Sequence, residues 1–297
     1  MKETESLHVP VLVDEMLAYL APQPGKIYVD ATFGAGGHTK AILDYEKQCR
    51  VIGIDWDRVS LEKYGDPLKD IYGDRLHLVW GNFAIIDRLL AKEKIKTVDG
   101  ILADFGTSTM QLKDRTGFSL YKDTPLDMRM APSYYQMTAR DVLAQKTEQE
   151  LATIFWTYGQ ERHGRALARA LVYARQKKPI TTTGELVAVV EQVLGKKKSS
   201  IHPATRVFQA LRIYVNHELD NITSFLPAGM RILSEGGKYV CISFHSLEDV
   251  RVKQFFKEKE KEGEMHILTK RIVVPSIAEV QRNPASRSAR LRAAERV

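Results

Sequence analysis

A doubly wound α/β sheet interrupted by an inserted helical domain is the fold class that this 297-residue sequence predicts. Three observations predict it. Four short Val- and Ile-rich runs alternate with longer segments of helical composition. A glycine-rich loop follows the first run. About a hundred residues of helix-like sequence then separate these runs from a later return of sheet-like sequence.

The runs are Ile27 to Asp30, Arg50 to Asp55, Leu76 to Trp80 and Val98 to Asp104. Parallel strands need a crossover of a dozen or more residues, and the spacing of these runs leaves room for one helix each time. After Asp104 the alternation stops. Ala139 to Ala144, Glu148 to Phe155 and Arg162 to Arg175 read as helices, and a further helix starts near Thr183 and breaks at Gly195. The lysines at 196–198 in that break read as a solvated loop. Phe208, Leu211, Val215, Leu219, Ile222 and Leu226 recur at spacings of three and four, so one long helix is expected there. Gly236 and Gly237 then introduce a strand from Lys238 to Phe244. The expected organisation is an α/β domain in two parts, residues 1–112 and 206–297, around an inserted helical domain at 113–205.

Composition narrows the class. Hydrophobic residues at 44% and charged residues at 27% suit a soluble globular protein. No apolar run reaches the roughly 18 residues of a membrane span, and the polar start lacks the pattern of an export signal, so a cytoplasmic location is expected. Cys49 and Cys241 lie in apolar stretches without disulfide or CxxC spacing. Lys and Arg number 44 against 37 for Asp and Glu, and the resulting +7 favours a polyanionic partner. Arg282, Arg287, Arg290, Arg292 and Arg296 crowd the C-terminal segment and are expected to contact RNA phosphates. The competing readings are a solvated tail or packing against the sheet.

The candidate site begins at Asp30-Ala31-Thr32-Phe33-Gly34-Ala35-Gly36-Gly37-His38, a loop that opens a helix and brings backbone N–H groups close to a ligand. Asp55 ends the second run about twenty residues on, where a carboxylate can accept the hydroxyl hydrogens of an adenosine ribose. A nicotinamide dinucleotide and S-adenosylmethionine both fit this pair. Asp30 favours the second, because a carboxylate beside the loop repels a pyrophosphate and attracts an ammonium and a sulfonium. Phe83 is placed either to stack on adenine or to fill the core. Asp104 ends the fourth run at the ligand-binding edge of such a sheet. There it or a neighbouring carbonyl could accept hydrogen bonds from an exocyclic amine and help its nitrogen attack a methyl group. No His or Cys cluster has metal-ligand spacing, and methyl transfer from a sulfonium needs no Lewis acid, so no metal is expected.

These residues belong to blocks that resemble the RsmH (MraW) family of ribosomal RNA cytosine-N4 methyltransferases over nearly the whole chain. The blocks include His8-Val9-Pro10-Val11-Leu12, Asp30 to His38, Gly53-Ile54-Asp55, Pro125 to Met130, Pro203 to Arg206, Phe208 to Ile213 and Ile242 to Asp249. Departures are modest: Met110 stands where the family has a proline, and Gln160 where it has a glutamate. The resemblance implies a Rossmann-like class I methyltransferase sheet and S-adenosyl-L-methionine as cofactor. It also implies that Gly36, Gly37 and His38 meet the methionine end, Asp55 the ribose and Phe83 the adenine region, with Asp104 and Gln111 completing the site. The implied substrate is a cytosine in the decoding region of 16S ribosomal RNA, within the small ribosomal subunit.

Two segments keep alternative readings. Asp127 and Arg129 either shape a base pocket or form an internal pair that orders their loop. His245 either transfers a proton or makes a structural hydrogen bond, and Ser246 with Asp249 matches a helix start. A non-enzymatic assembly factor that keeps the fold is the second class of function, separable by methyl transfer, and a homodimer is left open.

Overall fold

The computed structural model describes residues 9–106, 116–196 and 202–297. Gln111, the lysines at 197 and 198, and the loop departure at Met110 lie outside the described residues. Two compact units emerge, one drawn from Met1–Ser108 with Leu219–Val297 and the other from Thr109–Glu218.

The first unit is built on a seven-stranded sheet of order β3-β2-β1-β4-β5-β7-β6. Its strands are β1 (Ile27–Asp30), β2 (Arg50–Asp55), β3 (Leu76–Trp80), β4 (Val98–Asp104), β5 (Leu233–Ser243), β6 (Met265–Ile267) and β7 (Arg290–Arg296). The first five run parallel, and β7 runs antiparallel to both β5 and β6. The order reverses outward from β1 and β4, which is the doubly wound arrangement of a Rossmann-like class I methyltransferase sheet. Val29, Val51, Ile52, Ile54, Ile101 and Leu102 are at most 2% exposed, as expected of strands covered on both faces. The first four strands coincide with the runs read from the sequence. β5 begins earlier than expected, at Leu233, with a register shift between Val98 and Gly100 that accommodates Gly236 and Gly237.

Two features depart from the sequence reading. The C-terminal arginines do not form a tail: β7 is an internal strand, with Leu291, Ala293 and Ala294 fully buried. Arg292 is clamped by Asp249, Nε to Oδ1 at 2.6 Å and Nη2 to Oδ2 at 3.1 Å, and Arg296 donates to the carbonyls of Met230 and Leu233. These two guanidinium groups are structural, and the expectation that they contact RNA is corrected. The second departure is the long helix expected through Phe208 and Leu226, which is two helices, Thr205–Val215 and Glu218–Ile232.

In the second unit, the reason for that break is visible. Asn216 is fully buried, and its side chain accepts from the Met130 N–H at 2.6 Å and donates both to the Met128 carbonyl at 2.7 Å and to the Arg212 carbonyl of the preceding helix at 2.8 Å. His217 then takes the left-handed conformation at φ 49°. The helices Ala139–Gln145, Glu148–Gly159, Gly164–Lys177, Thr183–Leu194 and Thr205–Val215 surround one apolar cluster that includes Leu143, Phe155, Leu171, Leu186 and Leu211. Three of them open with capping boxes, at Thr138 with Asp141, Thr147 with Glu150 and Thr182 with Glu185. No helix among the described residues is long and apolar enough to cross a membrane.

Candidate functional site

The carboxyl ends of β1, β2 and β4 each carry an aspartate: Asp30, Asp55 and Asp104. The loop between β1 and the helix Gly37–Tyr45 passes over them. Gly36 holds φ at +75° as the last residue before that helix, and a Cβ there would lie 2.4 Å from Leu68 Cδ1 and 2.8 Å from the Phe33 ring. A Cβ on Gly37 would press on Pro10 at 3.0 Å. At Gly36 the left-handed backbone and the Phe33 ring both favour glycine, whereas at Gly37 a side chain would need Pro10 to give way by a few tenths of an ångström.

Asp55 is 7% exposed. Its two oxygens accept the Gly34 N–H and the Asp57 N–H, both at 2.8 Å, which ties the loop to the end of β2. Burial pushes its pKa up to about 7, against the lowering effect of those N–H groups. Each oxygen keeps a further lone pair with which to accept a hydroxyl.

Asp104 closes β4. Its backbone N–H donates to Thr32 Oγ1 at 2.7 Å, and its Oδ1 accepts the Gly106 N–H at 2.9 Å. Its Oδ2 lies 3.8 Å from His38 Nδ1. The opposite nitrogen of His38, Nε2, lies 2.8 Å from the Val11 carbonyl, which can only accept, so Nε2 carries the proton. Burial raises Asp104 to about 6, opposed by His38 and reinforced by Asp30 and Glu248.

Asp30 differs from its expected place. It is 1% exposed and lies beneath the loop, accepting from Thr39 Oγ1 at 2.8 Å and the Thr32 N–H at 3.2 Å. It braces the loop against the following helix, and burial raises its pKa. Its charge acts on the site through space. Among the described residues no Lys or Arg pairs with Asp30, Asp55 or Asp104, so two buried carboxylates and the partly exposed Asp104 share one neighbourhood with His38 as the nearby basic side chain.

Phe83 packs into an aromatic cluster and remains partly exposed. Its ring centroid is 5.3 Å from Phe225, edge-on, 6.1 Å from Phe105 and 6.2 Å from Trp56. Beside it Asn82 Nδ2 donates to Asn221 Oδ1 at 3.1 Å. Sequence reasoning missed Trp56, Phe105, Asn221 and Phe225. Trp56 and Phe105 follow Asp55 and Asp104 directly and could have been found by adjacency, whereas Asn221 and Phe225 arrive from a helix with no local sign of this role.

Both ambiguous segments make structural contacts. Arg129 and Asp127 form a bidentate pair, Nε to Oδ1 at 2.7 Å and Nη2 to Oδ2 at 2.8 Å, inside the helical unit. His245 caps the helix Ser246–Lys261 with Glu248 as its reciprocal partner, one residue before the expected Ser246 start.

A set of buried and partly buried carboxylates without a matching Lys or Arg among the described residues suits a ligand that brings positive charge and hydroxyl hydrogens, and disfavours a pyrophosphate. Ribosomal RNA small subunit methyltransferase H of Afipia carboxidovorans is 46% identical to this chain, covering 100% of it and 92% of that protein. The protein of the same name from Wolbachia sp. subsp. Drosophila simulans is 48% identical, covering 98% and 99%. That of Ehrlichia chaffeensis is 43% identical, covering 97% and 99%. Residues 5–297 match the MraW methylase family, and the chain belongs to that family.

Proposed function

We propose that this chain transfers a methyl group from S-adenosyl-L-methionine to N4 of a cytosine in the decoding region of 16S ribosomal RNA. The reaction takes place in the cytoplasm, on the small ribosomal subunit. The observation that carries this reading is the set of three carboxylates at the carboxyl ends of neighbouring strands, Asp30 and Asp55 buried and Asp104 partly exposed, with no Lys or Arg among their partners within the described residues. The full-length likeness to small-subunit ribosomal RNA methyltransferases supplies the substrate class. A homodimer has no support and is not part of the proposal.

In this reading Gly36, Gly37 and His38 receive the methionine end, Asp55 accepts the ribose hydroxyls, and Phe83 borders adenine, with Gln111 completing the site. When bound, the cofactor supplies a methyl group on a positively charged sulfur. Asp104 is the catalytic residue. Its carboxylate accepts a hydrogen bond from the cytosine amine, which localises electron density on N4, and its charge stabilises the positive charge that grows there. His38, held through the Val11 carbonyl, keeps a nitrogen facing that carboxylate.

The test is transfer of radiolabelled methyl from the cofactor to small subunits that lack the modification, with mass spectrometry of the product nucleoside. Methylation at cytosine N4 is expected, and Asp104→Asn should turn over more slowly even at saturating cofactor. Cofactor binding without transfer would favour the assembly-factor reading. A methyl group on another base atom would overturn the assignment of substrate.

A further inference from the structure

We infer that the segment from Lys270 to Arg290 is a cationic ledge that grips RNA phosphates flanking the target nucleotide. This rests on the function proposed above and assigns residues to its substrate side. Between Thr269 and Arg290 the chain carries five cations, Lys270, Arg271, Arg282, Arg287 and Arg290, against a single acid, Glu279. Lys270, Arg271, Arg282 and Arg287 are exposed, and none has an ion-pair partner among the described residues. Glu279 forms an ion pair with none of them, and its Oε1 accepts the Leu12 N–H at 2.9 Å.

The fold puts this ledge beside the reacting carboxylate. Ile242 of β5 lies opposite Asp104 of β4 on one side and Leu291 of β7 on the other. Leu291 in turn exchanges backbone hydrogen bonds with Val273, at 2.8 and 3.1 Å. Because β7 is antiparallel, its first residues and the chain that leads into it sit level with the carboxyl ends of the parallel strands. Three strand spacings separate the line of Val273 from that of Asp104, about 15 Å along the sheet edge.

A second connection reaches the same place. Residues 9–12 are bound to the ledge by Asn283 Nδ2 donating to the Val9 carbonyl at 3.0 Å and by the Leu12 N–H on Glu279. The same residues hold His38 through the Val11 carbonyl at 2.8 Å, and His38 faces Asp104. The exposed cations therefore stand on a braced stretch of backbone joined to the site, so the chain itself loses little freedom when a phosphate arrives. Exposed cations without ion-pair partners among the described residues, carried on braced backbone level with the ligand-binding edge, are what a polyanion would recognise, and guanidinium groups suit phosphate oxygens. Arg292 and Arg296 are excluded from the ledge because their donors are committed to Asp249 and to the carbonyls of Met230 and Leu233.

The experiment compares the full-length parent with two double variants, Lys270→Glu with Arg271→Glu and Arg282→Glu with Arg287→Glu. Affinity for assembled small subunits and for a protein-free fragment of the same RNA is measured across a salt series, alongside cofactor calorimetry and thermal melting. Each variant should bind both RNAs at least about tenfold more weakly, with a salt slope shallower by about 0.7 to 0.9 for each phosphate that is no longer neutralised. Cofactor affinity and melting temperature should match the parent. Should a reversal fail to fold, the corresponding Gln substitutions remove the charges with smaller perturbation and should produce the same direction of change. Folded variants that bind and methylate like the parent, with unchanged slopes, overturn the ledge. So does weakening on subunits with unchanged affinity for protein-free RNA, which would make the ledge a docking point for a ribosomal protein. A parent that neither binds nor methylates the subunit sinks the proposed function itself, whereas a methylating parent with indistinguishable variants sinks the ledge alone.

Discussion

The proposed site asks Asp55 to stay charged where burial favours the neutral form, and this conflict makes its behaviour measurable. Asp55→Ala removes the acceptor for any ribose hydroxyl and strands the Gly34 and Asp57 N–H groups. Cofactor binding should weaken by about 1 to 3 kcal/mol, as read by calorimetry; unchanged affinity would remove Asp55 from the site. Its pH dependence follows from a folded pKa of about 7 against an unfolded value of about 3.9. Between those values the folded protein without cofactor holds a proton that the unfolded chain has released. This residue's contribution to stability therefore improves as pH falls through about 7, and its burial penalty is fully present above that. In the proposed site cofactor binding runs the other way, because there the ribose hydroxyls donate to the ionised carboxylate. Affinity should drop from about pH 8 to about pH 5.5 in the parent, and more shallowly in Asp55→Asn, where Asp104 at about 6 remains to titrate. Equal slopes in the two proteins would count against this account.

At the scale of elements, β7 is the most informative strand, because its sequence Arg290-Leu291-Arg292-Ala293-Ala294-Glu295-Arg296 reads as a polar tail and folds as an interior strand. Two of its three apolar residues are alanines, so periodicity gives a weak signal. The Arg292–Asp249 clamp has both side chains at 13% and 10% exposure, and removing one partner leaves the other charge buried without compensation. Arg292→Ala should lower unfolding free energy by about 3 to 5 kcal/mol in denaturant melts. The double variant with Asp249→Ala should recover part of that loss, and strict additivity of the two single effects would show that the clamp is not coupled. β1 to β4 were legible because Val and Ile runs bounded by loop residues carry their own periodicity. The helix break at Asn216 was not, because the apolar spacing continues across it. The buried amide bonds to residues 128 and 130, far away in sequence, decide the break.

At the scale of the whole molecule, each unit has its own apolar cluster, and that of the helical unit is drawn from residues 126–215. A segment that buries its own core can fold alone, so residues 109–218 expressed by themselves should melt cooperatively when followed by circular dichroism. A gradual, non-cooperative loss of signal would mean that the helical unit depends on the rest of the chain. The sequence by itself determined the alternation of strands and crossovers, the glycine loop, and the positions of Asp55 and Asp104 at strand ends. These depend on residue preferences and spacing within one short stretch of chain. The tertiary structure decided which arginines serve the fold and which remain free, that Phe225 joins Phe83 and Phe105, that Asp30 lies beneath its loop, and that His38 faces Asp104. Those outcomes depend on burial and on partners distant in sequence, and the energy of a charge or ring is settled only when the groups packed around it are in place.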